Sequence, residues 1–138
     1  MDVLAYLLDT NVVSDYLRGR PEIVDRVSRV IDAGEIVGLC PPVHYEVTRG
    51  LLRVDARRQL EKYYLEFVPM MSLLPVLHDD WNEAAQLWRY VQQRGRQLSD
   101  VDLLIAAMAI RLDAVLVTAD GDFSALPVKR ENWRVPQA

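Results

Sequence analysis

The sequence predicts a three-layer α/β/α fold on a mostly parallel sheet of four to five strands. Two observations predict it. Short continuous apolar runs, of the kind carried by strands covered on both faces, alternate with longer stretches whose apolar residues recur at helical spacing. No linker, repeat or low-complexity stretch divides the 138 residues, so residues 1–138 read as one domain. Strands alternating with helices imply βαβ units and a parallel sheet.

The elements follow in order. Residues 3–8 form the first apolar run and the first strand. Thr10 or Asn11 can cap a short helix to about Arg18. Gly19-Arg20-Pro21 breaks it, and Pro21 suits the first turn of the next helix. That helix turns Ile23, Val24, Val27, Val30 and Ile31 to one side and stops near Gly34. Residues 36–40 are the second strand. Pro41-Pro42 leads into a helix through Val43, Val47 and Leu51, and a further helix covers roughly 55–67. Residues 73–77 are a short third strand. Asp79 or Asp80 caps a helix with Ala84, Ala85, Leu87, Trp88 and Val91 inward, ended by Arg94-Gly95-Arg96. Ser99, with Asp102 three positions on, resembles a capping box before an apolar helix to Leu112. Residues 114–118 give the fourth strand, and 128–135 can add another.

Bulk properties narrow the function. No apolar run reaches the roughly 18 residues of a membrane span, and Met1-Asp2-Val3 lacks the basic start of a signal peptide. With a single cysteine, Cys40, no internal disulfide is available, and the expected compartment is the cytoplasm. The net charge of −4 looks wrong for a nucleic-acid binder. Its distribution matters more: without the four acids discussed next the chain is neutral, and 14 of 16 basic residues are arginine, whose planar fork suits phosphate. Codon usage in a GC-rich genome explains the arginines equally well.

Four acids sit where apolar runs stop. Asp9 ends the first run, Glu46 follows the second past Pro41-Pro42, Asp102 opens the apolar helix, and Asp120 lies just past Val115–Thr118. In open α/β sheets, sites form beyond the carboxyl ends of strands. Carboxylates converging there repel one another, and a hard divalent cation compensates. Each acid also has an ordinary reading: Asp9 a helix cap, Glu46 a partner of Arg49 or Arg53, Asp102 half of a capping box, Asp120 a turn residue. Asp100 and Asp102 lie about 200° apart around a helix, so only one can face a common centre. Asp102 is preferred, because Ile105, Ala106 and Ala109 carry its face inward. Gly50 and Ala106, each one turn beyond an acid, are expected to leave room for a hydrated ion.

These segments, Leu8-Asp9-Thr10-Asn11, Glu46-Val47-Thr48-Arg49-Gly50, Ser99-Asp100-Val101-Asp102 and Thr118-Ala119-Asp120-Gly121-Asp122-Phe123, resemble PIN-domain proteins of the VapC toxin type along nearly the whole chain. The resemblance implies a Mg²⁺- or Mn²⁺-dependent endoribonuclease with Asp9, Glu46, Asp102 and Asp120 as its catalytic, metal-holding acids. It adds Asp122 as an assisting metal ligand and Asn11 and Thr118 as polar residues lining the pocket. It also implies a homodimer, RNA as substrate (tRNA, rRNA or mRNA), a VapB-type antitoxin, and contact with DNA only through that antitoxin. No membrane partner is expected.

Arg18, Arg20, Arg49, Arg53, Arg94 and Arg96 are candidate phosphate contacts, with Arg18, Arg49 and Arg96 foremost. His44 and His78 read as helix-start residues outside the chemistry. An antitoxin groove is expected over the first two helices and the 55–67 helix. Three rivals remain at this point. A receiver-type phosphoacceptor domain needs a late lysine, for which only Lys129 is available. A haloacid-dehalogenase-like phosphatase needs an acid where Asn11 stands. A catalytically silent RNA- or protein-binding module needs neither.

Overall fold

A computed structural model describes residues 3–135. Five parallel strands form one sheet in the order β3-β2-β1-β4-β5: β1 (Leu4–Leu8), β2 (Ile36–Leu39), β3 (Ser72–Leu73), β4 (Val115–Val117) and β5 (Arg130–Glu131). From β1 the chain steps outward through β2 to the β3 edge, then crosses back to β4 and on to β5. Right-handed crossovers place the helices of these two directions on opposite faces, which makes the three layers. The expected α/β/α architecture is the one observed.

Helices α1 (Thr10–Leu17) and α2 (Pro21–Asp32) join β1 to β2. Helices α3 (Pro41–Arg53) and α4 (Arg57–Lys62) lead to β3, with a π-helical turn at Tyr63–Phe67 and a 3₁₀ turn at Val68–Met70 in between. Helices α5 (His78–Gln93) and α6 (Asp100–Leu112) pack along each other before β4. A 3₁₀ turn, Gly121–Ala125, precedes β5. Among the described residues no helix is long and apolar enough to cross a membrane.

Local chemistry sets the boundaries. Pro21 and Pro41 occupy first turns, where a missing N–H costs nothing. Gly34 and Gly95 follow α2 and α5 with φ of +80° and +68°, a region that favours glycine. The core joins both sheet faces: Leu7, Leu8, Leu39, Leu116 and Val117 meet Val13, Val27, Ile105, Met108 and Phe123, all essentially buried. Gly38 is needed for packing, since a Cβ there would lie 2.7 Å from Leu74 Cδ1 and 2.9 Å from Leu4 Cδ1.

Several expected boundaries are corrected. The cap of α1 is Asp9, whose carboxylate accepts from Thr10 N at 2.8 Å, so Thr10 and Asn11 lie inside the helix. The 55–67 helix starts two residues late, after Asp55 adopts a φ of +51°, and its last turn widens to a π turn. The third strand is Ser72–Leu73, shorter than 73–77. Leu74 N still bonds Leu39 O at 3.1 Å, but Pro75 has no N–H to continue the ladder. Helix α5 begins at His78 with Leu77 at its cap position, and Asp80 reaches back from the third helical position to Leu77 N at 2.7 Å. Trp88 and Ala85 are exposed, so only Ala84, Leu87 and Val91 of that set turn inward. The last strand is confined to Arg130–Glu131, because Asn132 Oδ1 accepts from Arg134 N at 3.0 Å and turns the chain.

Two buried carboxylates lie away from the strand ends and are neutralised by arginine. Asp80 takes a two-pronged contact from Arg111 (2.7 and 3.0 Å), tying α5 to α6. Asp15 takes one from Arg134 (2.6 and 2.9 Å), tying α1 to the residues after β5. Replacing Asp80 with alanine removes the partner of Arg111 and a helix-start bond together. The expected loss is about 3 kcal/mol, at the low end for a broken buried pair because Arg111 retains some solvent contact. Urea unfolding of Asp80→Ala beside wild type measures it.

Candidate active site

The sheet delivers Asp9 and Asp120 to the same end. Asp9 follows the last residue of the central strand β1, and its N–H continues the ladder to Val117 O at 3.0 Å. Its side chain is only 3% exposed and fully engaged. Oδ1 accepts from Thr10 N, while Oδ2 accepts from Thr118 Oγ1 at 2.7 Å and Asn11 Nδ2 at 3.0 Å. Asn11 Oδ1 in turn accepts from Ala119 N, and Thr118 Oγ1 from Asp120 N, both at 3.0 Å. These bonds fasten the β1–α1 junction to the turn after β4.

Glu46 comes from the second turn of α3. Its Oε1 accepts from the Thr10 hydroxyl at 2.6 Å, and its Oε2 lies 3.9 Å from Arg49 Nη2. Asp102 stands in the first turn of α6, its N–H bonded to Ser99 Oγ at 3.1 Å. Asp120 Oδ1 accepts from Asp122 N at 2.9 Å, capping the 3₁₀ turn.

Electrostatics shows the convergence. Burial pushes the Asp9 carboxyl above its ordinary value; bonds from Thr118 and Thr10 oppose this, and the charges of Glu46 and Asp120 add to it. Burial, then Asp9, Asp120 and Glu46, pushes Asp102 from 3.8 up to about 6. Asp100 lies on the other side of α6, beside Trp81 and Trp88. Asp102 thus lies within electrostatic reach of Asp9, Asp120 and Glu46, which Asp100 on the other side of the helix does not join.

The acids form an open arrangement. Among the described residues no three acidic, imidazole or thiol groups stand close enough to enclose one ion by direct ligation. A carboxylate offers about four lone-pair sites. Asp9 has three occupied by protein donors, whereas Asp120 Oδ2 and Glu46 Oε2 accept no hydrogen bond among the described residues. Such a set fits a small hard cation that keeps part of its water shell.

The surroundings are mixed. Arg18 and Glu46 border a groove of about 280 Å³ between α1 and α3, where Gly50 faces open space. Ala106, one turn beyond Asp102, is wholly buried. Arg96 Nη2 lies 3.7 Å from the exposed Asp122. Arg20 is turned to Asp15 and Glu22, and Arg94 lies over the Tyr90 ring. His44 Nδ1 pairs with Tyr63 OH at 2.8 Å, away from the acids. A larger apolar hollow of about 520 Å³ adjoins Cys40, Tyr64 and Leu74 but touches none of the four acids, so the chemistry is placed on the smaller, charged side. Lys129 is paired with Asp113 at 2.7 Å, which removes the lysine that a receiver-type site requires. Thr10 was not singled out beyond capping. Its position directly after Asp9 was the available signal, but its bond to Glu46, 36 residues away, is set by the fold.

Fold and site together define the class. Residues 6–129 match the PIN domain, and the chain belongs to that family. Ribonuclease VapC19 of Mycobacterium tuberculosis is 32% identical over 114 residues, covering 83% of this chain and 87% of its own. VapBC2 from Rickettsia felis, in a crystal structure bound to a promoter DNA fragment, aligns at 22% identity with a TM-score of 0.84, over 94% of this chain and 99% of its own. FitAcB from Neisseria gonorrhoeae aligns at 25% identity with a TM-score of 0.80, over 94% and 98%.

The raised Asp102 carboxyl gives a signed prediction. A folded-state value above the unfolded one stabilises the fold at low pH; that contribution fades as pH rises from about 4 through about 6. In EDTA, Asp102→Asn is therefore expected to melt above wild type at pH 7.5, with the difference closing near pH 4. Melting curves across this range test it, and a variant less stable at every pH contradicts it.

Proposed function

We propose that this chain is an endoribonuclease toxin of the VapC type, working as a single cytoplasmic domain with Mg²⁺ or Mn²⁺ and held inactive by a VapB-type antitoxin. The observation that carries the reading is the placement of Asp9 and Asp120 just past β1 and β4, joined through Thr118, with Glu46 tied to Asp9 through Thr10. Membership of the PIN family and the ribonuclease relative supply the reaction class. DNA contact would come through the antitoxin, as a complex of the VapBC2 kind suggests. Two copies would form the working toxin.

Asp9, Glu46, Asp102 and Asp120 would hold the ion, partly through water, with Asp122 assisting. A bound Mg²⁺ or Mn²⁺ would supply Lewis-acid stabilisation of the phosphate and of an attacking water at neutral pH. The carboxylates would orient that water for in-line attack, and the 3′ oxygen would leave, giving a 5′-phosphate. Asn11 and Thr118 would act through Asp9, on which both side chains are already spent. Arg18, Arg49 and Arg96 would draw the RNA backbone toward the acids.

Cleavage of single-stranded RNA is expected to stop in EDTA and return with Mn²⁺. Asp9→Asn should lose more than about a hundredfold, beyond the 10–100-fold that outer-shell partners carry. Products should bear 5′-phosphates and no cyclic phosphate, read by ligation. Undiminished cleavage by Asp9→Asn, or in EDTA, refutes the assignment, and Mn²⁺ binding without cleavage of any RNA favours the silent binding module. In EDTA, replacing Arg18, Arg49 and Arg96 together by alanine should lower the salt slope of RNA binding by about 2, since each phosphate contact on a single strand contributes about 0.7. Fluorescence anisotropy at several salt concentrations measures that slope.

A further inference from the structure

Thr10 touches two of the acids at once. Its N–H donates to Asp9 Oδ1 at 2.8 Å, and its hydroxyl donates to Glu46 Oε1 at 2.6 Å. The second bond is short, as charge-assisted O–H···O⁻ bonds are. It joins the start of α1 to the middle of α3, elements held side by side by the core.

Glu46 has a competitor for its charge. Arg49 lies three residues on, at the spacing of paired side chains on a helix, yet its nearest nitrogen is 3.9 Å from Glu46 Oε2, outside hydrogen-bond range. The guanidinium rests over the Tyr45 ring instead, 5.0 Å from its centre. A glutamate on an exposed helix face would close on such an arginine. Here the Thr10 hydroxyl holds one oxygen by a hydrogen bond, and the other meets Arg49 only as a 3.9 Å ion pair without one.

We infer that Thr10 is a positioning residue whose hydroxyl keeps Glu46 turned toward the acidic centre and out of the grasp of Arg49. This rests on the proposed metal-dependent reading and specifies how one ligand of that centre is held. Removing the hydroxyl would free Glu46 to pair with Arg49, and a cation arriving at the centre would first have to break that pair. Outer-shell partners that orient a ligand commonly govern metal affinity by 10–100-fold.

The test is Mn²⁺ binding to the full chain without antitoxin or RNA, followed by calorimetry and by the paramagnetic resonance signal of free Mn²⁺. Thr10→Val keeps the shape and removes the donor; Thr10→Ser keeps the donor; Thr10→Ala removes the donor without β-branching, in case valine disturbs the fold. Thr10→Val is expected to weaken Mn²⁺ binding about tenfold. Thr10→Ser should bind as wild type does, and in an Arg49→Ala background the Thr10→Val loss should shrink. Wild-type affinity in both Thr10→Val and Thr10→Ala overturns the inference. So does failure of serine to rescue, or an equal loss with and without Arg49. Wild type that binds no Mn²⁺ brings down the metal-dependent reading together with this inference. Wild type that binds while the Thr10 variants match it brings down the inference alone.

Discussion

The buried carboxylate of Asp9 is the constraint around which the rest is arranged. A charge only 3% exposed at the end of the central strand is tolerable only if donors surround it. Three do: the N–H of Thr10, the amide of Asn11 and the hydroxyl of Thr118. Each also performs a second task. Thr10 begins α1 and reaches Glu46, Asn11 receives the N–H of Ala119, and Thr118 receives the N–H of Asp120. Satisfying one carboxylate thus fixes the relative placement of α1, α3 and the turn after β4.

The contrast with Asp15 and Asp80 is instructive. Those two are as buried as Asp9, but each faces an arginine fork. They behave as struts, neutral as pairs and built into helix packing. At the carboxyl end of the sheet the acids have hydroxyls, amides and one another, with Arg49 held off at 3.9 Å and Arg96 reaching only the exposed Asp122. The protein closes two-pronged arginine pairs on acids where packing is at stake and leaves only long, single contacts to arginine where the strand ends open.

Much of this was legible in the residues. Apolar runs located β1, β2 and β4, proline and glycine located helix ends, and run boundaries picked out Asp9, Glu46, Asp102 and Asp120, which the fold brings within electrostatic reach of Asp102. Helical geometry alone selected Asp102 over Asp100. Boundaries that depend on a single hydrogen bond were less legible: Pro75 cuts β3 short, and Asp80 acts from inside α5 rather than before it. Trp88 also misled, because its spacing matches the buried stripe although the side chain is half exposed. Contacts between distant segments, above all Thr10 with Glu46, have no signature in a sequence read one segment at a time.

The Asp15–Arg134 fork ties the residues beyond β5 to the helix that begins at Thr10. Losing Arg134 would leave Asp15 with only the longer 3.7 Å contact to Arg20, inside α1 and four to five residues from Asn11 and Thr10. The residues after β5 therefore brace the helix that carries Thr10 and Asn11, although they lie outside the sheet.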